Sequence, residues 1–399
     1  MQAQYAISAH WQGGFDELAL QGWARSVRAN LPAPSAELGL VFMGPDYGER
    51  ATEILEILRV HAQIPLLIGS SGAGVIAGNQ EIEDDPGIAL GLYHLPGARL
   101  EGFYISPEDI ELVKTPEAWR EWTGQKQNEP GGWLLFADPF QMDCEAFIRN
   151  WNIAFPGVPT TGGLASAGSN QFATKLFLDG QVFEEGVVAV SIGGGFELAT
   201  VLSQGCTPIG ETWTITKARG NLIQGIGNQP AFDVIESTLQ SLTSREKEKL
   251  RGNLFLGLAM DEYREDYEMG DFLIRNLLGA DPATGSIAVG AQPRTGQTVQ
   301  FQRRDAETAS QELEELIKKR IVELGKRQVH GGCLCTCTGR GYRLFGFPNH
   351  DAALITKLFG SIGLAGFFCN GEIGPVRGKA FLHGYTASLA LFVKRTDGN

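Results

Sequence analysis

Three stretches of this chain run through the same succession of patterns, and that recurrence limits the fold more than any other feature. In the first, ELGLVFMG (37–44) is an apolar run of strand length. Ala51, Ile54, Leu55 and Leu58 follow at i, i+3, i+4 and i+7, and IPLLIGSSGAG (64–74) is an apolar run that breaks into glycine. That spacing marks the buried face of a helix set between two strands. VIAGNQEI and GIALGLYHL then read as two further strands, so the unit is β-α-β-β-β. The second stretch repeats the order with GWLLFAD (132–138), the face Cys144, Phe147, Ile148 and Trp151, then VPTTGGLASAG (158–168), ATKLFLDGQVF and GVVAVSIGGG. The third is looser: GGCLCTCTGRG (331–341), the face Ala352, Ile355, Phe359 and Ile362, GLAGFFCNGEIG (363–374), and a final strand in FLHGYTASLALFV (381–393). The repeat is too long and too few in number for a solenoid. Consecutive strands with no helix between them require antiparallel neighbours. The expected class is therefore α/β with mixed, α+β-like sheets. Helices covering one face of each sheet predict α-β-β-α layering.

The chain holds 52 glycines in 399 residues, about 13% where an ordinary domain has about 7%. They show no triplet period, which excludes collagen. Many gather at 69–78, 162–168, 193–195, 339–341 and 371–378, and they are expected to mark equivalent strand-end crossings, at least one of them bordering a cleft. The charge, 33 basic against 46 acidic residues or −13, argues against a nucleic-acid surface or an anionic membrane as partner. No segment has the length and apolarity of a membrane span. The N-terminal MQAQYAISAHWQGGF lacks the basic and apolar regions of a secretory signal. Six cysteines in a chain of this length suit free thiols in a reducing compartment, so a cytoplasmic location is expected.

Met1–Ala9 reads as a strand followed by a short helix carrying Leu18, Trp23 and Val27. A boundary falls near 196–206, dividing the chain into domains 1–200, with its internal duplication, and 201–399. Within the second, FELATVLSQG and TWTITKARGNLIQGIG read as strands, Pro230 opens a helix over PAFDVIESTLQSL, and TSREKEK is an exposed charged segment. NLFLGLAM is a buried strand, SIAVGA and TVQFQRR form a strand pair around QPRTGQ, and Asp305 caps the helix that follows.

Several clusters could carry chemistry. GSSGAG (69–74) has neither the Lys of a Walker loop nor the G-x-G-x-x-G spacing of a dinucleotide site. Ser70 and Ser71, like Thr160, Thr161 and Ser166, either line a small-ligand cleft or satisfy backbone groups at the break. Cys333, Cys335 and Cys337 alternate on a strand and point to one side, with Cys369 on a later strand. The alternation gives poor bite angles for zinc, so buried thiols are expected, with no metal and no cofactor. Cys337 is followed by Thr338, Gly339, Arg340 and Gly341. Their N–H groups and guanidinium would favour a thiolate or hold an anion. Asn370 and Glu372 close the next strand. Arg340 and Glu372 together would complement a zwitterion such as an amino acid. A catalytic alternative makes Cys337 a nucleophile with His383 or His350 as base. Asp261, Glu262, Glu265 and Asp266 lack the central glycine of a calcium loop and read as a solvated acidic segment.

IPLLIGSSGAGVIAG with GIALGLYHLPG resembles the FIST N-terminal domain. CTGRGYRLFG and FFCNGEIGPVRGKAFLHGYTASLALF resemble the end of the FIST C-terminal domain. The resemblance runs from about residue 36 to residue 392. It implies a sensory module in signal transduction that binds a small polar ligand, an amino acid or similar metabolite. It also implies importance, without assigned chemistry, for Cys337, Gly339, Arg340, Gly341, Gly371, Glu372, Gly374, Pro375 and His383. No kinase, receiver or F-box pattern is present, so the expected partner is a separate signalling output protein. The ligand-contacting set expected on this reading is Cys337, Gly339, Arg340, Gly341, Asn370, Glu372, Ser70, Ser71, Thr160 and Thr161. A non-catalytic scaffold for another protein is the remaining alternative.

Overall fold

The computed structural model describes residues 5–125, 130–168, 174–250, 252–264 and 266–396. Met1–Gln4 of the expected first strand, Ala173 of the ATKLFLDGQVF strand and Glu265 of the acidic segment lie outside the described residues. Two compact units are present, one formed by Met1–Leu202 with Glu314–Asn399 and the other by Ser203–Leu313.

The first unit begins with β1 (Ala6–Gln12), α1 (Glu17–Asn30), β2 (Leu38–Met43), α2 (Ala51–His61), β3 (Leu67–Ser71), a hairpin of β4 (Val75–Ala77) and β5 (Gln80–Ile82), and β6 (Gly87–Tyr93). It continues with β7 (Ala98–Ile105), α3 (Pro107–Leu112), α4 (Pro116–Thr123), β8 (Gly132–Ala137), α5 (Cys144–Ala154), β9 (Thr160–Leu164), a hairpin of β10 (Leu176–Leu178) and β11 (Gln181–Phe183), β12 (Val187–Gly194) and β13 (Phe196–Ser203). All four residues of the expected helical face are buried in α2, and all four in α5. VIAGNQEI, read as one strand, is two, because Gly78 turns the chain at φ +62°.

The second unit holds β14 (Cys206–Arg219), β15 (Leu222–Ile226), β16 (Gln229–Pro230), α6 (Ala231–Ser241), α7 (Ser244–Lys249), β17 (Leu254–Ala259), β18 (Phe272–Asp281), β19 (Ser286–Val289) and β20 (Thr298–Arg304). Its strands run β14-β20-β17-β18-β19-β15-β16, and β14 also pairs with β15. The sheet therefore closes on itself around Ile215, Ile223, Leu256, Ile287 and Phe301. A register break between Ile209 and Trp213 lets the long β14 serve both neighbours. The expected SIAVGA–TVQFQRR pair does not form: β19 lies between β18 and β15, while β20 lies between β14 and β17. Closure gives both strands other partners.

The chain then adds α8 (Ala306–Leu324), β21 (Val329–Cys337), α9 (Tyr342–Phe345), α10 (His350–Phe359), β22 (Leu364–Cys369), a hairpin of β23 (Glu372–Val376) and β24 (Lys379–His383), and β25 (Ala387–Lys394). FLHGYTASLALFV is thus not a single strand. Tyr385 at φ +67° separates β24 from β25.

Three sheets build the first unit, with orders β1-β6-β2-β3-β10-β11, β7-β12-β8-β9-β23-β24 and β13-β25-β21-β22-β4-β5. In each, a central parallel pair (β2/β3, β8/β9, β21/β22) is flanked by an antiparallel strand. Each sheet is completed by a hairpin from a different stretch of chain. This exchange corrects the expected division at residue 200. The break after Leu202 is real, but 314–399 does not stand with 201–313, because β22 receives β4 and β9 receives β23. It also corrects the two-sheet layering: three sheets, not two, turn a face to one core. Phe42 and Ile68 come from the first sheet, Leu134 and Phe136 from the second, and Cys335 and Phe367 from the third. Phe42, Phe136 and Phe367 meet there with ring centroids 4.7–5.7 Å apart. The outer faces are covered by α1 and α2 on the first sheet and by α4 and α5 on the second.

The glycines locate the closest approach. Gly69, Gly162 and Gly366 sit opposite Val41, Leu135 and Leu334 in the three parallel pairs. A Cβ on each would fall 1.7, 1.8 and 1.9 Å from the facing carbonyl oxygen. These are mid-strand contacts, so the expectation of strand-end crossings is met at the wrong place: the requirement is inside the ladder, one residue per pair.

Candidate functional site

The carboxyl ends of the three parallel pairs open onto one cavity of about 640 Å³. Ligands of α/β sheets commonly sit beyond the carboxyl ends of parallel strands, where loops diverge. Counting four residues on from Gly69, Gly162 and Gly366 gives Ala73, Ser166 and Asn370, and all three line this cavity. Hydrogen bonds stitch them together. Ser166 Oγ accepts from the Ala73 N–H at 2.7 Å and donates to the Phe368 carbonyl at 2.5 Å. Phe368 N–H donates to the Gly74 carbonyl at 2.9 Å, and Asn370 N–H to the Leu164 carbonyl at 3.0 Å. The floor is a network of bonds drawn from all three sheets.

The walls are acidic. Asp46 enters after β2, and Glu83, Asp84 and Asp85 after β5, facing Arg343 of α9 and the Thr338 side chain after β21. The Glu83 carboxylate receives the Tyr342 N–H at 2.9 and 3.0 Å. Burial pushes its pKa up, against that bond. Gly341, at φ +63°, suits glycine by its backbone, and a Cβ there would lie 2.3 Å from Glu83 Oε2 and push that carboxylate aside. Four carboxylates and one guanidinium thus line the cavity.

The sequence-derived residues divide around this cleft. Asn370 lines it. Gly341 abuts its wall through Glu83. Cys337 is 8% exposed, lies one residue before Thr338, and accepts the Gly339 N–H on Sγ at 3.4 Å. Arg340 is fully buried, and Asp351 holds it by two bonds, Nε–Oδ2 at 2.6 Å and Nη2–Oδ1 at 2.9 Å. Asp351 also receives the Thr336 hydroxyl and the His350 Nδ1. Burial pushes the Asp351 pKa up, but the guanidinium outweighs it and holds the carboxyl well below the usual range. Glu372 is fully buried; it accepts from Thr386 N–H at 2.9 Å and from the Cys369 thiol at 3.1 Å. Arg340 and Glu372 therefore do not form a zwitterion-binding pair on the cleft wall. Arg340 meets Asp351 inside the fold, because a buried charge requires a partner at hand, and Glu372 accepts its two hydrogen bonds there.

Ser70, Ser71, Thr160 and Thr161 lie within β3 and β9 and are buried. Ser71 Oγ accepts the Lys175 N–H, Thr160 Oγ1 donates to Val158, and Thr161 Oγ1 bonds Ser388 and the Ile373 carbonyl. None of the four lines this cleft; the members of each consecutive pair face opposite sides of their sheet, and both sides are covered. His383 Nε2 meets the Gly374 carbonyl, and the His350 ring stacks on Phe345 at 3.4 Å. Cys333, Cys335 and Cys369 pack in the shared core, where burial raises the Cys335 and Cys369 pKa values well above normal. No group of three potential ligands for a metal occurs among the described residues.

Sequence reasoning missed Asp351 as the partner of Arg340 and the acidic wall of the cleft. A signal existed for the wall: EIEDDPG (81–87) places four carboxylates at the end of a hairpin. No local pattern announces Asp351, since the pairing depends on how α10 docks.

Comparison with known proteins assigns the chain. Residues 37–229 match the FIST N domain and 231–375 the FIST C domain. An uncharacterized protein of Mycobacterium tuberculosis is 37% identical over 372 residues, 93% of this chain and 94% of its own. One of Mycobacterium bovis is 36% identical over the same shares. Among solved structures, a cyanuric acid hydrolase from A. caulinodans aligns over 98% of this chain and 100% of its own at 8% identity, with a TM-score of 0.37, too low to carry an argument. With both domain matches spanning most of its length and relatives aligned nearly end to end, the chain belongs to the FIST family.

Proposed function

We propose that three copies of one ancestral strand–helix–strand unit build the cleft, and that the cleft binds a small, polar, amine-bearing metabolite in a sensory role. The observation that carries this reading is the cleft itself. Its floor comes from equivalent positions of the three parallel pairs, and its wall from Asp46, Glu83, Asp84 and Asp85. Family membership supports a small-molecule sensory and signalling role in general terms. The acidic wall adds the chemistry: an ammonium group would replace like-charge repulsion among the carboxylates with attraction. An amino acid fits if its ammonium faces the acidic wall and its carboxylate faces Arg343. The pre-bonded floor means binding needs little ordering, which favours affinity. The bound state would be read by a separate signalling protein. Free thiols at all six cysteines suit action in a reducing compartment such as the cytoplasm. Among the described residues no helix is long and apolar enough to cross a membrane.

Native mass spectrometry of the protein from its own host, followed by a thermal-shift panel of amines and amino acids, tests this reading. A ligand at 100 times its Kd should stabilise the fold by about 2.7 kcal/mol. Changing Asp84→Asn together with Asp85→Asn should abolish that shift while leaving the unliganded melting temperature near wild type. A panel with no stabilising amine, or a shift that survives in the double variant, refutes it.

A further inference from the structure

Cys337 and Cys369 are direct partners in the parallel register of β21 and β22. Side chains of paired residues on adjacent strands leave the sheet on the same side. The spacing of neighbouring strands, about 4.8 Å, lies inside the range of roughly 4.4–6.8 Å between Cα atoms that a disulfide needs. The two thiols differ in setting. Cys337 retains 8% of its surface, whereas Cys333 and Cys335 retain 1% and Cys369 none. A small oxidant therefore meets Cys337 first. Gly339 N–H points at Cys337 Sγ from 3.4 Å, a donor that favours sulfur carrying negative charge. Cys369 Sγ has two acceptors for its one proton, Glu372 Oε1 at 3.1 Å and the Thr336 carbonyl at 3.3 Å, and the carboxylate is the nearer. That carboxylate is buried and oriented by Thr386 N–H.

From this arrangement we propose that Cys337 and Cys369 form a reversible, peroxide-sensing dithiol, with Glu372 as the base that prepares Cys369. The Cys337 sulfur attacks hydrogen peroxide, the O–O bond breaks, and Cys337 becomes a sulfenic acid while the released hydroxide takes the thiol proton and leaves as water. Cys369 sulfur then attacks the Cys337 sulfur. Its proton passes to Glu372 Oε1, the S–O bond breaks, and the departing hydroxide recovers that proton as a second water. The two sulfurs are each oxidised by one electron overall, and the peroxide is reduced to water. A small dithiol reverses the bond by exchange. A link between directly paired strand positions is constrained, which makes it readily reducible, as a regulatory disulfide must be.

The bond would act on the cleft. Thr338 and Asn370 follow the two cysteines immediately, and both line the cavity. Thr338 N–H already bonds the Cys369 carbonyl at 3.1 Å. Oxidation would pin this side of the cleft floor. The chemistry does not depend on what the cleft binds, so it can fail while the ligand reading stands, and the reverse.

The test treats the fully reduced protein with one to a few equivalents of hydrogen peroxide and reads intact mass and peptide maps. The expected result is a loss of about 2 Da, mapped to a Cys337–Cys369 link and restored by dithiothreitol. In Cys369→Ser the reaction should stop at a Cys337 sulfenic acid, a gain of about 16 Da that dimedone traps. In Glu372→Gln, ring closure should slow by roughly 100-fold while sulfenic acid still forms. Cys144→Ser, on α5, should behave as wild type. Over-oxidation of Cys337 by about 32 Da with no linked peptide, or a link joining other cysteines, overturns the proposal. Closure in a folded Glu372→Gln variant at the wild-type rate overturns the assignment of the base, and the wild-type and Cys369→Ser arms decide the dithiol if that variant does not fold.

Discussion

Replacing Gly69 with alanine is the sharpest probe of this fold. The new Cβ would stand 1.7 Å from the Val41 carbonyl oxygen and 2.7 Å from its carbon, both backbone atoms of the paired strand. Cβ contacts below 3.0 Å are essentially never seen, so β3 must move from β2 by more than an ångström. No rotamer change can absorb this, because neither partner is a side chain. A shift of that size weakens at least two ladder hydrogen bonds, at about 1 kcal/mol each. The surrounding core adds the cost of overpacking, about 1–3 kcal/mol. The sum is about 3–5 kcal/mol, a large share of the 5–15 kcal/mol typical of a folded protein. Urea unfolding followed by tryptophan fluorescence measures it. Six of the seven tryptophans lie in the first unit, Trp213 being the exception, so the signal reports mainly on the unit that holds the altered sheet. Gly22→Ala is the control: Gly22 lies in α1 with nothing within 4 Å of its Cβ, and alanine there should add roughly 0.5–1 kcal/mol of stability. Gly162→Ala and Gly366→Ala should match Gly69→Ala. If Gly69→Ala unfolds within about 0.5 kcal/mol of wild type, the close approach of the parallel strands is not what selects glycine at this position.

Glu81 supplies a pH dependence. Burial, then the nearby Asp351 carboxylate, pushes its pKa from 4.5 up to about 8, against the Ala352 N–H bond. The folded state thus holds a proton that the unfolded state releases, and stability falls as pH rises from about 4.5 to about 8. Glu81→Gln should remove that slope and melt higher than wild type at pH 9; an unchanged pH profile would show that Glu81 is ionised throughout. Asp351 has the opposite sign. Its folded pKa is depressed, so its contribution is full above the unfolded value near 4 and is lost on acidification. Asp351→Asn, which leaves the Arg340 guanidinium buried without its carboxylate, should cost about 3–5 kcal/mol by denaturant titration at neutral pH, and a cost under 1 kcal/mol would contradict a buried pair. Ser166→Ala strands the Ala73 N–H and the Phe368 carbonyl at the cleft floor. It should cost about 1–3 kcal/mol and speed amide exchange at Ala73 in hydrogen–deuterium exchange, and protection equal to wild type would show that water replaces the hydroxyl.

Much of the fold was legible because it is written in local periodicity. The faces at Ala51–Leu58 and Cys144–Trp151 announce α2 and α5 without any knowledge of partners, since one helical stripe must find a sheet. The short hairpins were harder: three-residue strands around Gly78 or Asp179–Gly180 are below the length at which alternation speaks. The site was legible in part. Asn370 and Ser166 stood out as polar residues at glycine-broken strand ends, and both line the cleft. Arg340 and Glu372 stood out for the same reason and proved to be internal, because charge in an apolar context signals burial as readily as binding.

The amino-acid sequence by itself determined the mixed α/β class, the buried faces of α2 and α5, and the family. Each depends on spacing within a few turns of chain or on local composition. Only the tertiary structure decided that three sheets share one core, that each borrows a hairpin from another stretch of chain, and that 203–313 stands as its own unit between the second and third parallel pairs in the chain. It alone placed Ala73, Ser166 and Asn370 on one floor and gave Arg340 to Asp351. The three floor residues are 93 to 297 positions apart in sequence. Contacts across such separations are chosen by the packing of whole sheets, which no local period encodes.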